Sequence, residues 1–300
     1  MHASGRWRMK AKISVVIPAR NSERFIAQTL TAIYKGTRLP EEVIVVDGCS
    51  TDRTRAISQA HGATVVENVK MHAASARRIG VEAANSSIVA FTDSDCIPAS
   101  DWVKCIAHAF EIDGELDGIG GRVTLTSPRT RVQAFSAHVF ESIKSFPREP
   151  VQITTKGVSG LSFAGANCAF RKEKIIAVGN FRDQFGKAAE ETDLLWRLVD
   201  HGAKLIFDPD LQVEHLGYPD TVRRLIRVSF RYGTGSTLLT KYHGRSPRID
   251  WFLYKKWLKS VIATLNPWNR DPWSALSLLQ LTVFIAAKWY TSVRVRTINL

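Results

Sequence analysis

Between Ile13 and Thr92, short β-branched runs alternate with longer stretches whose apolar positions recur at helical spacing. "ISVVIP" leads to "SERFIAQTLTAIY", "VIVVD" to "DRTRAISQAHG", "TVVEN" to "AASARRIGVEAAN", and "SIVAFTDSD" closes the series. This order predicts βαβα units, and hence a parallel sheet buried on both faces. Ligands of such sheets bind in the crevice at the carboxyl ends of the strands. Pro18, Asp47 and Asp93 each stand at the end of a strand run, so polar and turn residues from three separate segments are expected to meet there.

From Asp101 to Pro219 the periods mix. "GIGGRVTL" reads as a strand, "TRVQAFSAHVFESI" as a helix and "SGLSFAGANCAFRK" as loop and strand. "AEETDLLWRLVDHGA" reads as a helix stopped by Gly202, and "KLIFDPDLQVEHLGYP" as two short strands around a turn. Beyond Thr221, arginine and lysine alternate with aromatics in "RRLIRVSFRYG" and "WFLYKKWLKSVIATLNPWNRDPW", and "SALSLLQLTVFIAA" then runs uncharged to Lys288. Those 14 residues fall short of the roughly 20 that a membrane span needs. Basic, Trp and Tyr borders favour a helix lying in a membrane surface over a buried closing helix or a true span. The expected division is a basic tail over 1–12, an α/β domain over 13–240 and a basic, aromatic helical extension over 241–300.

Composition narrows the class. A chain of 300 residues with 45% hydrophobic and 23% charged positions can bury a real core, which excludes a disordered chain. The net charge of +13 implies an anionic partner: nucleic acid, a membrane surface or a phosphorylated substrate. Cys49, Cys96, Cys105 and Cys168 form no CxxC pair, which argues against a zinc site or a disulfide framework and fits a reducing cytoplasm. The basic N-terminus is followed by a strand-like run instead of the apolar core of a signal peptide, so no secretion is expected.

Asp93 and Asp95, one residue apart after an apolar strand, repel one another and call for a compensating cation. Hard oxygen ligands with open positions suit Mg²⁺ or Mn²⁺ shared with the phosphates of a substrate. Asp47, ending another strand, is placed to accept hydrogen bonds from a base or ribose, while Ser50, Thr51 and Asp52 are better read as caps of the next helix. Arg227 and Arg231, four residues apart, share a helical face suited to a phosphate or equally to solvent or a membrane.

Seven segments carry a resemblance. "VVIPARN", "VVDGCSTD", "ASARRIG", "FTDSDC", "GGRV", "GANCAFRKEKIIAVGNF" and "AEETDLLWRL" occur in an order and at spacings similar to the inverting family 2 glycosyltransferases, which have the GT-A fold. The resemblance covers about residues 13–240 and implies a Rossmann-like mixed sheet flanked by helices. It further implies that Pro18, Ala19, Arg20, Asn21 and Asp47 hold the nucleoside, that Arg77 lies near the base, and that Asp93, Ser94 and Asp95 form the metal and sugar-nucleotide motif, with Asp95 the better metal ligand. Gly165, Ala166 and Asn167 would border the acceptor and donor-sugar pocket, His215 would lie near the diphosphate or metal, and Glu190 or Glu191 would supply the catalytic base, with Asp193 the alternative.

Two departures matter. Glu190-Glu191 replaces the commoner Glu-Asp, which lengthens the reach of the base by roughly 1.3 Å. Gly48 replaces the second aspartate of the "VVDDGSTD" form. The Gln-x-x-Arg-Trp motif of processive synthases is missing, which favours transfer of a single sugar.

The expected protein is a Mn²⁺- or Mg²⁺-dependent inverting glycosyltransferase on the cytoplasmic face of a membrane. It would use a UDP- or GDP-sugar and a lipid-linked or glycan acceptor, with its positive charge attracting the donor and holding the chain to anionic lipid. Competing readings are an inactive sugar-nucleotide or membrane-binding module and a nucleotidyltransferase, whose lysine-bearing glycine loop "IPARNSERF" lacks. No GxGxxG follows the first strand, against a dinucleotide oxidoreductase, and no nucleic-acid reader motif accompanies the basic residues.

Overall fold

The computed structural model describes residues 10–143, 146–156, 163–186, 188–244, 250–266, 268 and 271–296, so most of the expected basic tail lies outside the described residues. β1 (Ile13–Ala19), β2 (Glu42–Asp47), β3 (Thr64–Glu67) and β4 (Ile88–Phe91) pair in parallel in the order β3-β2-β1-β4. α1 (Ile26–Tyr34), α2 (Thr54–Ala60) and α3 (Ala73–Ala83) make the crossovers. Both faces are covered, which is why these strands are runs of apolar residues without polar alternation. Val15 and Ile17 join Ile26, Leu30 and Trp102 in one core, whereas Val16, Val46 and Val89 meet Ala76 and Leu194 in the other.

Beyond β4 the sheet becomes mixed. β5 (Cys96–Pro98) leads into α4 (Trp102–Ile112), β6 (Gly118–Leu125) into α5 (Arg131–Ile143), and β7 (Val151–Ile153) precedes β8 (Cys168–Arg171). β8 lies antiparallel between β4 and β6. α6 (Lys172–Ala177), α7 (Glu190–Asp200) and β9 (Leu205–His215) follow; β9 runs parallel to β6 and antiparallel to β5 and β7. This is the mixed sheet flanked by helices that the sequence implied.

Sequence and structure differ at β9, where two short strands were expected and one continuous strand is found. Its pairing with β6 jumps from Asp208 opposite Gly121 to Gln212 opposite Arg122, so Pro209, Asp210 and Leu211 form a bulge. The Asp210 N–H donates to Asp208 Oδ1 at 2.9 Å, a local turn that bends the strand without ending it.

Three helices close the chain: α8 (Val222–His243), α9 (Asp250–Leu265) and α10 (Ser274–Val295). Thr221 caps α8 and Gly244, at φ +65°, ends it. The expected boundary near residue 240 falls inside α8, which packs Leu238 and Leu239 against Trp196 of α7 and Gly233 against α10. A Cβ at Gly233 would stand 2.4 Å from the Phe284 carbonyl oxygen, so α8 and α10 cross almost backbone to backbone. α10 carries the helix past the uncharged run, through Lys288 and Arg294, to 22 residues, of which Phe284, Ala287, Lys288, Thr291 and Ser292 are buried. By length and composition alone α10 is apolar enough to cross a membrane, with mean hydropathy 1.2.

Candidate active site

After Phe91 the chain turns through Asp93, Ser94 and Asp95 and re-enters the sheet as β5. Cys96 pairs opposite His215 at the end of β9, and this register brings Asp95 to the histidine. Asp95 Oδ1 lies 3.5 Å from His215 Nε2. One ligand atom from each of Asp93, Asp95, Cys96 and His215 falls within 4.8 Å of the others. Glycine is required in the returning loop, because a Cβ at Gly217 would stand 1.7 Å from Asp95 Oδ2. Ser94 is buried and fixes the turn: its Oγ lies 2.7 Å from Ser22 Oγ, and its carbonyl accepts from Thr29 Oγ1 at 3.1 Å.

The cluster is electrostatically incomplete. Burial raises the pKa of Asp95; His215 opposes that shift and the neighbouring Asp93 adds to it. His215 Nδ1 is buried without a hydrogen-bond partner. Two carboxylates and an imidazole suit Mn²⁺ or Mg²⁺. Burial drives the Cys96 thiol far above its ordinary range.

At the other end of the crevice, Pro18 and Ala19 finish β1 in register with Val46 and Asp47. Asp47 is wholly buried; its Oδ2 accepts from the Ser50 N–H at 3.1 Å and faces Arg55 at 3.7 Å, but Oδ1 has no partner. A buried unpaired oxygen costs about 1–3 kcal/mol, which a donor on a ligand would relieve. Arg20 is exposed, and Asn21 turns the chain at φ +49°. Asn21 Oδ1 accepts from the Thr51 N–H at 2.9 Å, and the Asn21 N–H donates to Ser50 Oγ at 2.8 Å. Ser50 and Thr51 therefore lock two loops together, the N-cap of α2 falls on Arg53, and of the three expected caps only Asp52 reaches the helix start, accepting from the Thr54 N–H at 2.9 Å.

Arg77, on α3, joins the aspartate turn to α7. Its Nη2 lies 2.8 Å from Asp93 Oδ1, and Nη1 donates to Glu190 Oε1. This duty differs from the place near the base that the resemblance implied. Gly165 packs on the guanidinium, where a Cβ would come within 2.5 Å of Nη2. Burial, and then Glu191, push the Glu190 carboxyl up to about 8 against the pull of Arg77, and its Oε2 has no partner. Glu191 is half-buried beside it. Ala189, which starts the helix, holds φ +67°, a left-handed conformation costing a side chain about 1–2 kcal/mol.

Other expected site residues take different duties. Asp193 is no candidate base: it is wholly buried, with Arg197 Nη2 at 2.7 Å, His243 Nε2 at 2.8 Å and Arg182 Nη1 at 3.2 Å. Burial alone would raise its pKa, yet His243 and Arg197 hold it below the usual range. Asn167 lines no pocket, because its amide is saturated within the core: Nδ2 donates to the carbonyls of Leu211 and Arg122 at 2.8 and 2.9 Å, and Oδ1 accepts from Trp102 Nε1 at 2.8 Å. Ala166 is buried in the same core. Arg227 and Arg231 are exposed on α8, with the Arg231 guanidinium over the Tyr232 ring.

The arginine that α8 brings toward the acidic cluster is Arg224, which sequence reasoning missed. It donates to the Gly217 carbonyl at 2.7 Å, pairs with Asp220 at 3.1 Å, and acts on Asp95 to lower its pKa. Its signal was position: it lies in the first turn after the capping Thr221, directly behind the segment that leaves His215. A cleft of about 450 Å³ runs beside β6, lined by Arg122, Leu125, Thr126, Phe140, Glu141 and Phe146 among others. Leu125 stands opposite His215 in register, so the cleft adjoins the acidic cluster.

Comparison with known proteins fits this geometry. The chain is 27% identical to the pre-mycofactocin glycosyltransferase of Mycobacterium tuberculosis (strain H37Rv), over 77% of this chain and 48% of that protein. It is also 27% identical to the glycosyltransferase AglE of Haloferax volcanii, over 74% and 72% of the two chains. The chain thus spans about half the length of the first of these relatives. Its fold is shared with glucosyl-3-phosphoglycerate synthase from Mycobacterium tuberculosis, crystallised with Mn²⁺, uridine diphosphate and glucosyl-3-phosphoglycerate: TM-score 0.57, 20% identity, 78% of this chain and 80% of that one. The glycosyl transferase family 2 model matches residues 14–179, a stretch that takes in the Asp47 strand, Arg77 and the Asp93–Asp95 turn. Because that match covers more than half of the chain, the protein belongs to glycosyl transferase family 2.

Proposed function

We propose that the protein is a metal-dependent, inverting, non-processive glycosyltransferase. It moves one sugar from a UDP- or GDP-sugar to a hydroxyl or phosphate of a lipid-linked or glycan acceptor at the cytoplasmic face of a membrane. The observation that carries this reading is the juxtaposition of the Asp93, Asp95 and His215 cluster with the Glu190–Glu191 turn, bridged by Arg77. The Mn²⁺ and uridine diphosphate in the glucosyl-3-phosphoglycerate synthase structure support it.

Asp47 and the Arg20–Asn21 turn receive the nucleoside, the unpaired Asp47 Oδ1 accepting from it. Asp95, Asp93 and His215 would hold Mn²⁺ or Mg²⁺, which would supply charge neutralisation for a diphosphate leaving group. Arg224 adds a fixed positive charge on the same side. The acceptor enters along the β6 cleft, and its oxygen attacks the anomeric carbon opposite the leaving group. As the new C–O bond forms and the bond to the diphosphate breaks, the Glu191 carboxylate takes the hydroxyl proton. Glu190, tied to Arg77, positions that first turn. The β1–β2 crevice and the β6 cleft lie on either side of the acidic cluster, which suits one displacement with inversion.

A panel of UDP- and GDP-sugars, incubated with Mn²⁺ and scored for nucleoside diphosphate release, tests the reading. Release abolished by Asp95→Ala and by Glu191→Gln is expected. Release unaffected by both substitutions would sink it, and pyrophosphate release from a nucleoside triphosphate would point to nucleotidyl transfer instead.

A further inference from the structure

We infer that the exposed faces of α8, α9 and α10 form a docking surface for an anionic lipid bilayer, with α9 lying in the headgroup layer. This inference deepens, and rests on, the membrane placement proposed above. The first support is where the charge resides. Of the 41 Lys and Arg residues 14 lie beyond Pro219, against 2 of the 28 Asp and Glu that lie beyond Asp220, so residues 221–300 carry +12 of the net +13. Residues 1–220 are close to neutral, and the basicity belongs to the segment that carries the three helices.

Second, α9 turns an apolar stripe outward. Leu258, Ile262 and Leu265 recur at helical spacing and are 53%, 60% and 77% exposed, and Trp268 just beyond the helix is 86% exposed. A helix facing water places polar residues on such a face. Lys255, Lys256 and Lys259 are exposed on the same helix. The opposite side of α9 is already occupied: Leu253 is buried, and Trp257 Nε1 donates to Thr282 Oγ1 of α10 at 2.9 Å. Packing against α10 thus leaves the stripe facing away from the protein.

Third, the surface is continuous across the helices. The exposed rings of Phe230 on α8 and Tyr290 on α10 lie 5.9 Å apart, the Arg294 guanidinium covers Tyr290, and Trp289 donates to the Tyr254 hydroxyl of α9 at 2.8 Å. Aromatic rings interleaved with cations match the boundary between acyl chains and anionic headgroups. α10 lies along the bilayer without crossing it, because it buries Lys288 and meets Gly233 of α8 at backbone distance.

The test is co-sedimentation of the full chain with phosphatidylcholine vesicles, with and without phosphatidylglycerol. Binding at least about tenfold tighter to the anionic vesicles, weakened by salt, is expected. The triple change Lys255→Glu, Lys256→Glu, Lys259→Glu should abolish the preference. Leu258→Glu with Ile262→Glu should lower binding to both vesicle types. Trp268→Ser, which removes an exposed side chain outside any helix, should lower binding with an unchanged melting temperature. Equal affinity for neutral and anionic vesicles, wild-type binding by these variants, or a chain that ignores vesicles and self-associates through this face would overturn the proposal. Vesicle binding is scored without turnover, so a failure of glycosyl transfer and a failure of docking are separate results.

Discussion

Asp95, half-buried, and Asp193, wholly buried, are both carboxylates within reach of a histidine, yet their surroundings differ. Asp193 is braced by Arg197, Arg182 and His243, and its pKa falls despite burial. Asp95 has His215 at 3.5 Å, the carboxylate of Asp93 nearby and more distant help from Arg224, and its pKa rises. The first carboxylate is satisfied by the protein itself and serves as a strut between α7 and α8. The second is left electrostatically unfinished, and in the function proposed above a cation and a diphosphate complete it. Charge type alone does not separate scaffold from chemistry; the state of completion does.

The strongest way to break this comparison is at Asp95. Asp95→Ala should lower nucleoside diphosphate release by about 10³-fold, comparable with losing a principal electrostatic stabiliser, and should remove Mn²⁺ binding measured by titration with uridine diphosphate present. Wild-type affinity for Mn²⁺ would show that the cluster is not the metal site. Next comes Glu191→Gln, for which turnover should fall by about 10²–10⁴-fold while donor affinity stays within a few-fold. A rate near wild type would move the base elsewhere.

Asp193 should respond in stability. Asp193→Ala leaves Arg197 and its neighbours without their counter-charge, and should cost about 3–5 kcal/mol in urea unfolding. Its sign with pH follows from the depressed folded pKa. The unfolded chain binds this proton more readily than the folded one, so the stabilisation is full above about pH 4 and is lost as pH falls through the lowered folded value. The stability gap between wild type and Asp193→Asn should therefore close in acid; a gap that widened there would contradict the assignment. The smallest effect is expected at Ala189, where glycine relieves a left-handed backbone at the cost of a freer unfolded chain, for a net gain of about 0.5–1 kcal/mol. A lower melting temperature for Ala189→Gly would argue that the start of α7 is unstrained.

Much of this architecture could be read directly from the chain. The alternation from Ile13 to Thr92 specifies β1 to β4 and their crossover helices, because periodicity acts through neighbouring residues. The Asp93–Asp95 pair, Asp47 and the Glu190–Glu191 turn were visible as carboxylates ending apolar strands or opening a helix. The tertiary structure decided which polar side chains were already spent. In sequence Asp193 looks as available as Glu191 two positions earlier, and only the fold brings in His243 from 50 residues away and Arg182 from 11. Asn167 reads as a pocket residue until Trp102, Arg122 and Leu211 saturate its amide. Arg224 and Arg231 lie on one helix, and packing turns the first toward Gly217 and leaves the second exposed. Desolvation and ion pairing depend on groups brought together by the whole sheet, so local pattern can name the candidates but the packed chain assigns their duties.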